Sequence, residues 1–205
     1  MTATPFKLAQ YLLLGIVTAF SLSAYASVNV GQPAPDFTGV DSNGNQHTLS
    51  LYHGKTVVLE WTNHDCPYVK KHYNSGNMQQ PQKQATTDGV VWLSIISSRP
   101  GKQGHVSGGK ANDLTRSRNA APTAVILDET SAIGRLYGAK TTPHMYIIDK
   151  TGQLVYMGGI DSIPSSDEAD IAGAKNYVRA ALDAMTAGKT IEDSITRPYG
   201  CSVKY

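Results

Sequence analysis

The chain has 205 residues, of which 18 are basic and 16 acidic, so its formal net charge at pH 7 is only +2. This near-neutral balance gives no reason to expect a nucleic acid or an anionic membrane surface as a partner. Two cysteines are too few to build a small disulfide-stabilised protein, although an oxidising compartment would favour their pairing.

Residues 1–26 are predicted to be a secretory signal peptide. Lys7 provides the positive charge, residues 8–24 are almost all apolar or small, and a small-x-small cleavage site ends at Ala26. The alternative is an uncleaved membrane anchor, because about 17 apolar residues can span a bilayer. Cleavage after Ala26 predicts a periplasmic or secreted protein with no stable membrane association.

The rest of the chain is predicted to form one domain over residues 27–188, a length sufficient for a sizeable core. Residues 189–205 are predicted to form an irregular tail that carries Cys201. Residues 97–110 form a polar, glycine-rich loop, a composition that is typical of a mobile segment or of a flap over a site.

In chain order, β-branched and apolar runs alternate with longer mixed segments, which predicts strands alternating with helices. The predicted strands cover residues 37–40, 46–49 (after a turn at 43–45), 56–62, 89–96, 123–127, 144–148 and 154–158. The predicted helices cover a region that starts at Pro67 and is divided by Gly76 and Pro81, then residues 111–119, 130–137 and 167–187, the last with Ser166 as its N-cap and Gly188 as its stop. This order predicts an α/β fold, with a mixed sheet flanked by helices and an N-terminal β-hairpin.

The strongest chemical signal is Cys66, which lies between a predicted buried strand and the first turn of a helix. Free backbone N–H groups and the helix dipole at such a position favour the thiolate, the form that attacks disulfides, peroxides or metals. Lys70 and Lys71 would add positive potential, and His64 is placed to assist proton transfer. The alternative is a buried structural cysteine, which this position disfavours.

Acidic residues near Cys66 are candidate proton acceptors. Glu60, on the strand that precedes the cysteine, is either a buried acid that serves the thiol or a solvent-facing residue at a strand edge. Asp65 is a second candidate. No strand is followed by a glycine-rich nucleotide-binding loop, so we expect no organic cofactor.

A second signal is Pro143, directly before the predicted strand at 144–148. A proline at a strand entry is either an ordinary trans turn proline or the cis-proline of a thioredoxin fold. His64, His144 and Cys66 could also converge on copper or zinc, because imidazole and thiolate suit both metals, but a fourth ligand is missing. We therefore expect no metal site.

Several segments resemble the peroxiredoxin-like subgroup of the AhpC/TSA (redoxin) family, and they follow in the same order as in that subgroup. They are residues 30–37, 63–70 (Asn-His-Asp-Cys-Pro-Tyr-Val-Lys), 136–143, 146–149, 155–161 and 200–205. The resemblance implies a thioredoxin-like fold in which Pro143 is cis and faces Cys66 across a cleft. Thr142 would offer backbone hydrogen bonds to an extended substrate, and Tyr68 and His64 are expected to complete the substrate-binding site.

The chain departs from better-known relatives next to Cys66. Val69 stands where a thioredoxin has its second cysteine, so the usual local disulfide cannot form. Leu59 and Asn63 stand where a peroxiredoxin has proline and threonine or serine. We therefore expect thiol–disulfide exchange rather than ordinary peroxidase activity.

Cys201 is the other candidate catalytic residue, and its role is open at this point. It could resolve an oxidised Cys66, it could form a permanent disulfide that closes a long loop, or both thiols could stay reduced. Our hypothesis is an exported thiol-disulfide oxidoreductase or redoxin-type antioxidant protein with Cys66 as its nucleophile. It would act on a thiol or disulfide protein or a small-molecule oxidant and be regenerated by an external thiol reductant. The alternative is a non-enzymatic metal-binding or peptide-binding module.

Overall fold

The computed structural model describes residue 1 and residues 28–205. Apart from Met1, the predicted signal peptide lies outside the described residues, so it stays a prediction. In the part of the chain that is described, no helix has the length and apolar character needed to cross a membrane.

Strands and helices alternate along residues 28–205. The strands are β1 (Thr38–Val40), β2 (Gln46–Thr48), β3 (Val57–Trp61), β4 (Val91–Ile96), β5 (Ala124–Leu127), β6 (Thr141–Thr142), β7 (His144–Ile148), β8 (Leu154–Gly158) and β9 (Cys201–Ser202). The helices are α1 (Pro67–Asn74), α2 (Gln79–Thr87), α3 (Gly108–Ser117), α4 (Ala132–Tyr137) and α5 (Tyr177–Thr186), with short 3-10 helices at Leu49–Tyr52 and Glu168–Gly173.

A mixed five-stranded sheet in the order β5-β4-β3-β7-β8 forms the centre of the molecule. β3, β4 and β5 are parallel, whereas β7 runs antiparallel to both β3 and β8. β1 and β2 form the N-terminal hairpin. The predicted α/β architecture, a mixed sheet preceded by a hairpin, is confirmed.

The central strand β3 is buried along its whole length. Val57, Leu59 and Trp61 pack into one apolar cluster, while Val58 packs into a second cluster that also contains Cys66. This alternation follows from the strand geometry, in which successive side chains point to opposite faces of the sheet. Burial of each large apolar side chain contributes about 1.5–3 kcal/mol to the folding free energy. The position of β3, and of the cysteine that follows it, is therefore well fixed.

The predicted helix over residues 167–187 is wrong in its first half. The chain forms a 3-10 helix at Glu168–Gly173, then becomes extended, and α5 starts only after Asn176. The Asn176 side chain accepts a hydrogen bond from the backbone N–H three residues further on (3.0 Å). Such a cap satisfies a free N–H group of the first turn and favours a helix start at this point, so Ser166 is not the cap of α5.

Three smaller differences from the prediction concern Pro81, the polar loop and the tail. The helical region is interrupted between α1 and α2 at residues 75–78, where Gly76 has φ +78°. Pro81 does not divide the helices: it lies in the first turn of α2, where a missing N–H costs no intrahelical hydrogen bond. The polar loop ends earlier than predicted because α3 starts at Gly108. The tail contains a short strand, β9, which the sequence analysis did not predict.

Candidate functional site

Cys66 lies in a tight turn between β3 and α1. Its backbone N–H donates to the carbonyl of Asn63 (3.1 Å), and the side-chain oxygen of Asn63 accepts from the N–H of Asp65 (2.9 Å). Cys66 is the N-cap residue of α1, and Pro67 occupies the first helical position. The cysteine therefore stands where free N–H groups and the helix dipole stabilise a negative charge.

The Thr142–Pro143 peptide bond is cis, as the resemblance implies, and the trans alternative is wrong. In its protonated form, the Cys66 thiol donates a hydrogen bond to the carbonyl of Thr142 at 3.1 Å. The turn that precedes β7 and the turn that precedes α1 therefore meet at the Cys66 sulfur.

The C-terminal tail of the chain pairs with the strand edge of β6 at Thr142. β9 pairs antiparallel with β6, with Cys201 directly opposite Thr142. The pairing continues where the N–H of Val203 donates to the carbonyl of Lys140 (3.1 Å). The tail therefore takes the position along β6 at which we expected an extended substrate.

Gly200 makes this close approach possible. Its φ is +129°, and a Cβ atom at this position would lie only 2.1 Å from the carbonyl oxygen of Thr142. Only glycine adopts such a backbone conformation readily and leaves room for a neighbouring carbonyl. The residue before Cys201 is therefore part of the site geometry.

Cys66 and Cys201 are both in the thiol form but differ in exposure. Cys66 is completely buried, at 0% exposure, whereas Cys201 is partly exposed. The two thiols are hydrogen-bonding neighbours. Reagents from solvent therefore meet Cys201 before they can reach Cys66.

The same contact shifts the two pKa values in opposite directions. Burial raises the pKa of the Cys66 thiol, but hydrogen bonds from the Cys201 thiol, from the backbone N–H groups of Val69 and Cys201 and from the Thr142 hydroxyl outweigh it, so the pKa falls below its ordinary value. Burial, followed by the interaction with Cys66, raises the pKa of Cys201 to about 11. Cys66 is therefore the more acidic thiol, and Cys201 is the donor that stabilises its thiolate.

Glu60 is buried at 0% exposure, so the alternative of a solvent-facing residue is wrong. Its carboxylate oxygens accept hydrogen bonds from the side chains of Tyr73 (2.7 Å), Gln82 (2.9 Å), Trp92 (2.9 Å) and Ser94 (2.8 Å). Burial raises the pKa of Glu60, while these four donors oppose the shift. The carboxylate joins these four side chains in one buried hydrogen-bond network. A catalytic role for Glu60 stays a prediction.

His64 and Tyr68 lie in different surroundings. Tyr68 packs edge-on against Tyr199 of the tail, with ring centroids 5.9 Å apart. His64 borders a cavity of about 30 Å³, lined also by Thr62, Tyr73 and Arg118. Burial is the main reason why the pKa of His64 is lowered. The substrate-binding roles of these residues stay predictions.

The three residues considered for a metal site do not assemble. His144 is buried, and its Nδ1 accepts a hydrogen bond from the backbone N–H of Lys140 (3.2 Å). His64 faces the cavity described above. Among residue 1 and residues 28–205, no group of three or more histidine, cysteine or acidic side chains could hold a metal ion.

With this geometry established, comparison with known proteins identifies the family. The family model for AhpC/TSA matches residues 30–157, which is more than half of the chain. The chain belongs to the AhpC/TSA family. The predicted resemblance is confirmed at the level of the family.

Relatives of this AhpC/TSA protein include thiol-disulfide oxidoreductases. It is 28% identical over 153 residues to the thiol-disulfide oxidoreductase ResA of Geobacillus thermodenitrificans (strain NG80-2), which covers 70% of this chain and 80% of the relative. A protein with the same name from Geobacillus kaustophilus (strain HTA426) is 24% identical over 157 residues. These relatives support a redox function of the thioredoxin type.

Solved structures support the fold assignment. A hypothetical protein from Sinorhizobium meliloti 1021 has a TM-score of 0.73 at 22% identity and covers 87% of this chain and 96% of its own. An uncharacterized conserved protein from Geobacillus kaustophilus has a TM-score of 0.72 at 24% identity, with coverages of 88% and 94%. At these identities the likeness shows the fold alone, and the predicted thioredoxin-like fold is confirmed.

A buried polar cluster next to the AhpC/TSA cysteine site was not predicted from the sequence. Lys71, which we expected to add positive potential near Cys66, points instead to Asp161, with 3.6 Å between Nζ and Oδ2. The hydroxyl of Tyr199, in the tail, donates to the same carboxylate. An adjacent Lys-His pair on a helix was the only sequence signal, and its partners lie far away along the chain.

Proposed function

We propose that this AhpC/TSA protein is an exported thiol oxidoreductase in which Cys66 is the nucleophile and Cys201 resolves the product of its attack. The observation that carries the proposal is the contrast between two neighbouring thiols. The pKa of Cys66 is lowered, whereas that of Cys201 is raised to about 11 by burial and by Cys66. One sulfur is therefore suited to attack as a thiolate, while the other stays protonated beside it.

The reaction has two exchange steps. The Cys66 thiolate attacks one sulfur of a substrate disulfide, a mixed disulfide forms, and the other substrate sulfur leaves as a thiolate that takes up a proton. Cys201 then loses its proton and attacks the Cys66 sulfur, which releases the second substrate thiol. The protein gains a Cys66–Cys201 disulfide, the substrate is reduced by two electrons, and an external thiol reductant restores the two thiols.

Access to Cys66 limits the first step. Cys66 has 0% exposure while the tail is paired with β6, so the tail has to shift before a disulfide reaches the sulfur. Extended protein substrates would have to displace Cys201 from Thr142, because both use the same strand edge. Small-molecule disulfides require a smaller movement of the tail.

Export is the remaining part of the proposal. It rests on Lys7, the apolar run at residues 8–24 and the cleavage pattern that ends at Ala26. In a compartment that is oxidising, a reversible disulfide needs a dedicated thiol reductant, which we propose as a partner.

The experiment that tests the cysteine roles follows turnover of glutathione disulfide by wild type, Cys66→Ser and Cys201→Ser, with thiol states read by alkylation and mass spectrometry. We expect Cys66→Ser to be inactive and Cys201→Ser to accumulate a mixed disulfide on Cys66. A mixed disulfide on Cys201 in the Cys66→Ser variant, with turnover retained, would contradict the assignment.

A titration of the wild-type disulfide in graded thiol redox buffers separates a working pair from a structural bond. A bond that opens at a mild potential supports the resolving role of Cys201. A Cys66–Cys201 bond that resists all but strong reductants would identify a structural disulfide, since such bonds have low reduction potentials.

A further inference from the structure

A buried polar cluster connects the two segments that carry the cysteines. Lys71 and His72 lie on α1, which follows Cys66, and Asp161 lies in the segment after β8. Tyr199 lies in the tail, two residues before Cys201. The four cluster residues (Lys71, His72, Asp161 and Tyr199) are each at most 8% exposed, so water can satisfy little of their hydrogen-bonding capacity.

The cluster has a consistent direction of hydrogen bonding. The side-chain amide of Asn77 lies 2.8 Å from Nδ1 of His72, and Nε2 of His72 lies 3.1 Å from the hydroxyl of Tyr199. Burial lowers the pKa of His72 to about 4, so the ring is neutral near pH 7. Nδ1 therefore accepts from Asn77, Nε2–H donates to the Tyr199 oxygen, and the Tyr199 hydroxyl donates to Oδ1 of Asp161.

The charge of Asp161 is balanced from the other side. Nζ of Lys71 lies 3.6 Å from Oδ2 of Asp161 and donates to the carbonyl of Ile163 (3.2 Å). The ammonium group also lies 5.8 Å from the centre of the Tyr199 ring, within the range of a cation–π contact. Tyr199 is therefore held both through its hydroxyl and through its ring.

This anchor acts directly on the position of Cys201. The Cα atoms of residues two apart are separated by at most about 7 Å, so fixing Tyr199 confines Cys201 to a small volume beside β6. Gly200, between them, allows the close approach to Thr142. An intramolecular reaction gains from such confinement, because the effective concentration of the second group rises as its tether loses freedom.

We propose that Tyr199 is a positioning residue for the resolving step: its hydroxyl, held by Asp161 and His72, keeps Cys201 against Cys66. The inference rests on the proposed function, because it assumes that the two thiols form a disulfide. Loss of the hydroxyl should free the tail without removing either cysteine. Formation of the disulfide would then become less favourable.

The test measures this equilibrium with glutathione as the probe. In the reaction, the two thiols of the protein reduce one glutathione disulfide to two glutathione molecules and become the Cys66–Cys201 disulfide. Its equilibrium constant is the effective concentration of one thiol toward the other. We expect Tyr199→Phe to lower this constant roughly tenfold or more, which corresponds to a potential about 30 mV less negative for this two-electron couple.

Tyr137→Phe is the matched control. It also removes one buried tyrosine hydroxyl, but that hydroxyl donates to the carbonyl of Pro35 (2.6 Å) in the N-terminal segment and not to Asp161. We expect this variant to be less stable toward urea, with an unchanged equilibrium constant. A merely structural Tyr199 would behave in the same way.

The outcomes separate the two proposals. If wild type forms the disulfide and Tyr199→Phe has the same constant, the positioning role is refuted while the proposed function stands. If wild type forms no Cys66–Cys201 disulfide at any glutathione ratio, the proposed function fails, and the inference fails with it. If Tyr199→Phe does not fold, Asp161→Leu, which removes both acceptor oxygens from a side chain of similar size, takes its place, and a constant equal to that of wild type would again refute the role.

Discussion

Replacement of Gly200 by alanine should release the tail from β6. The new Cβ would lie 2.1 Å from the carbonyl oxygen of Thr142 and 2.8 Å from its carbonyl carbon, which are backbone atoms that cannot rotate away. The backbone also has φ +129° at this position, a conformation that costs about 1–3 kcal/mol for a residue other than glycine. The substitution therefore opposes docking both sterically and through the backbone.

The hydrogen bonds that hold the residues after Gly200 are of similar size to this penalty. The N–H of Val203 donates to the carbonyl of Lys140 (3.1 Å), the N–H of Arg99 donates to the carbonyl of Lys204 (3.1 Å), and the hydroxyl of Tyr205 donates to the carbonyl of Ala139 (2.6 Å). Each such hydrogen bond contributes about 1 kcal/mol net. We therefore expect an unfolding free energy lower by about 2–4 kcal/mol and a tail that spends much of its time undocked.

Alkylation of the cysteines by iodoacetamide, read by mass spectrometry, reports this release. Cys66 is fully buried in the docked state, so its alkylation should be roughly tenfold faster in Gly200→Ala, because local opening limits the reaction. The matched control is Gly188→Ala, where φ is +64° and no atom lies within 4 Å of the new Cβ. It should lose about 1 kcal/mol through backbone strain alone, with the alkylation rate unchanged. If Cys66 is alkylated in Gly200→Ala at the wild-type rate, the docked tail is not what shields its sulfur.

Three further predictions concern stability. Burial, with a smaller contribution from Lys140, lowers the pKa of His144 to about 3 from an ordinary value of 6.5. Between these two pH values the unfolded chain therefore binds more protons than the folded chain. Up to about 5 kcal/mol of the unfolding free energy is lost as the pH falls through this window. Urea unfolding at a series of pH values should show a shallower acid decline for His144→Gln, and an identical decline would contradict the assignment. The hydroxyl of Thr62 is buried without a hydrogen-bond partner, so Thr62→Val should leave the urea midpoint unchanged or higher; a clear loss would mean that a bound water satisfies it. Asn176→Ala should cost about 1 kcal/mol because it removes the cap of α5, and no loss in urea unfolding would show that tertiary packing alone starts this helix.

Local signals were sufficient for most of the framework. The β-branched run in β3, the Cys66-Pro67 step into α1 and the order of strands and helices follow from short stretches of chain, so the sequence predicts them well. The helix over residues 167–187 was mispredicted because a side-chain cap at Asn176 competes with continuous helix, and the sequence pattern does not show which of the two prevails.

The place of Cys66 at a helix start after a buried strand follows from the sequence alone, since neighbouring residues set that position. The placement of Cys201 beside Cys66 depends on the folded chain, because strand pairing with β6 and the contact of Tyr199 with Asp161 join residues far apart in the sequence. The burial of Glu60 was decided in the same way, by four donors from three other elements. Hydrogen bonds and desolvation act between groups that folding brings together. The lowered pKa of Cys66 and the position of Cys201 beside it therefore arise only in the folded molecule.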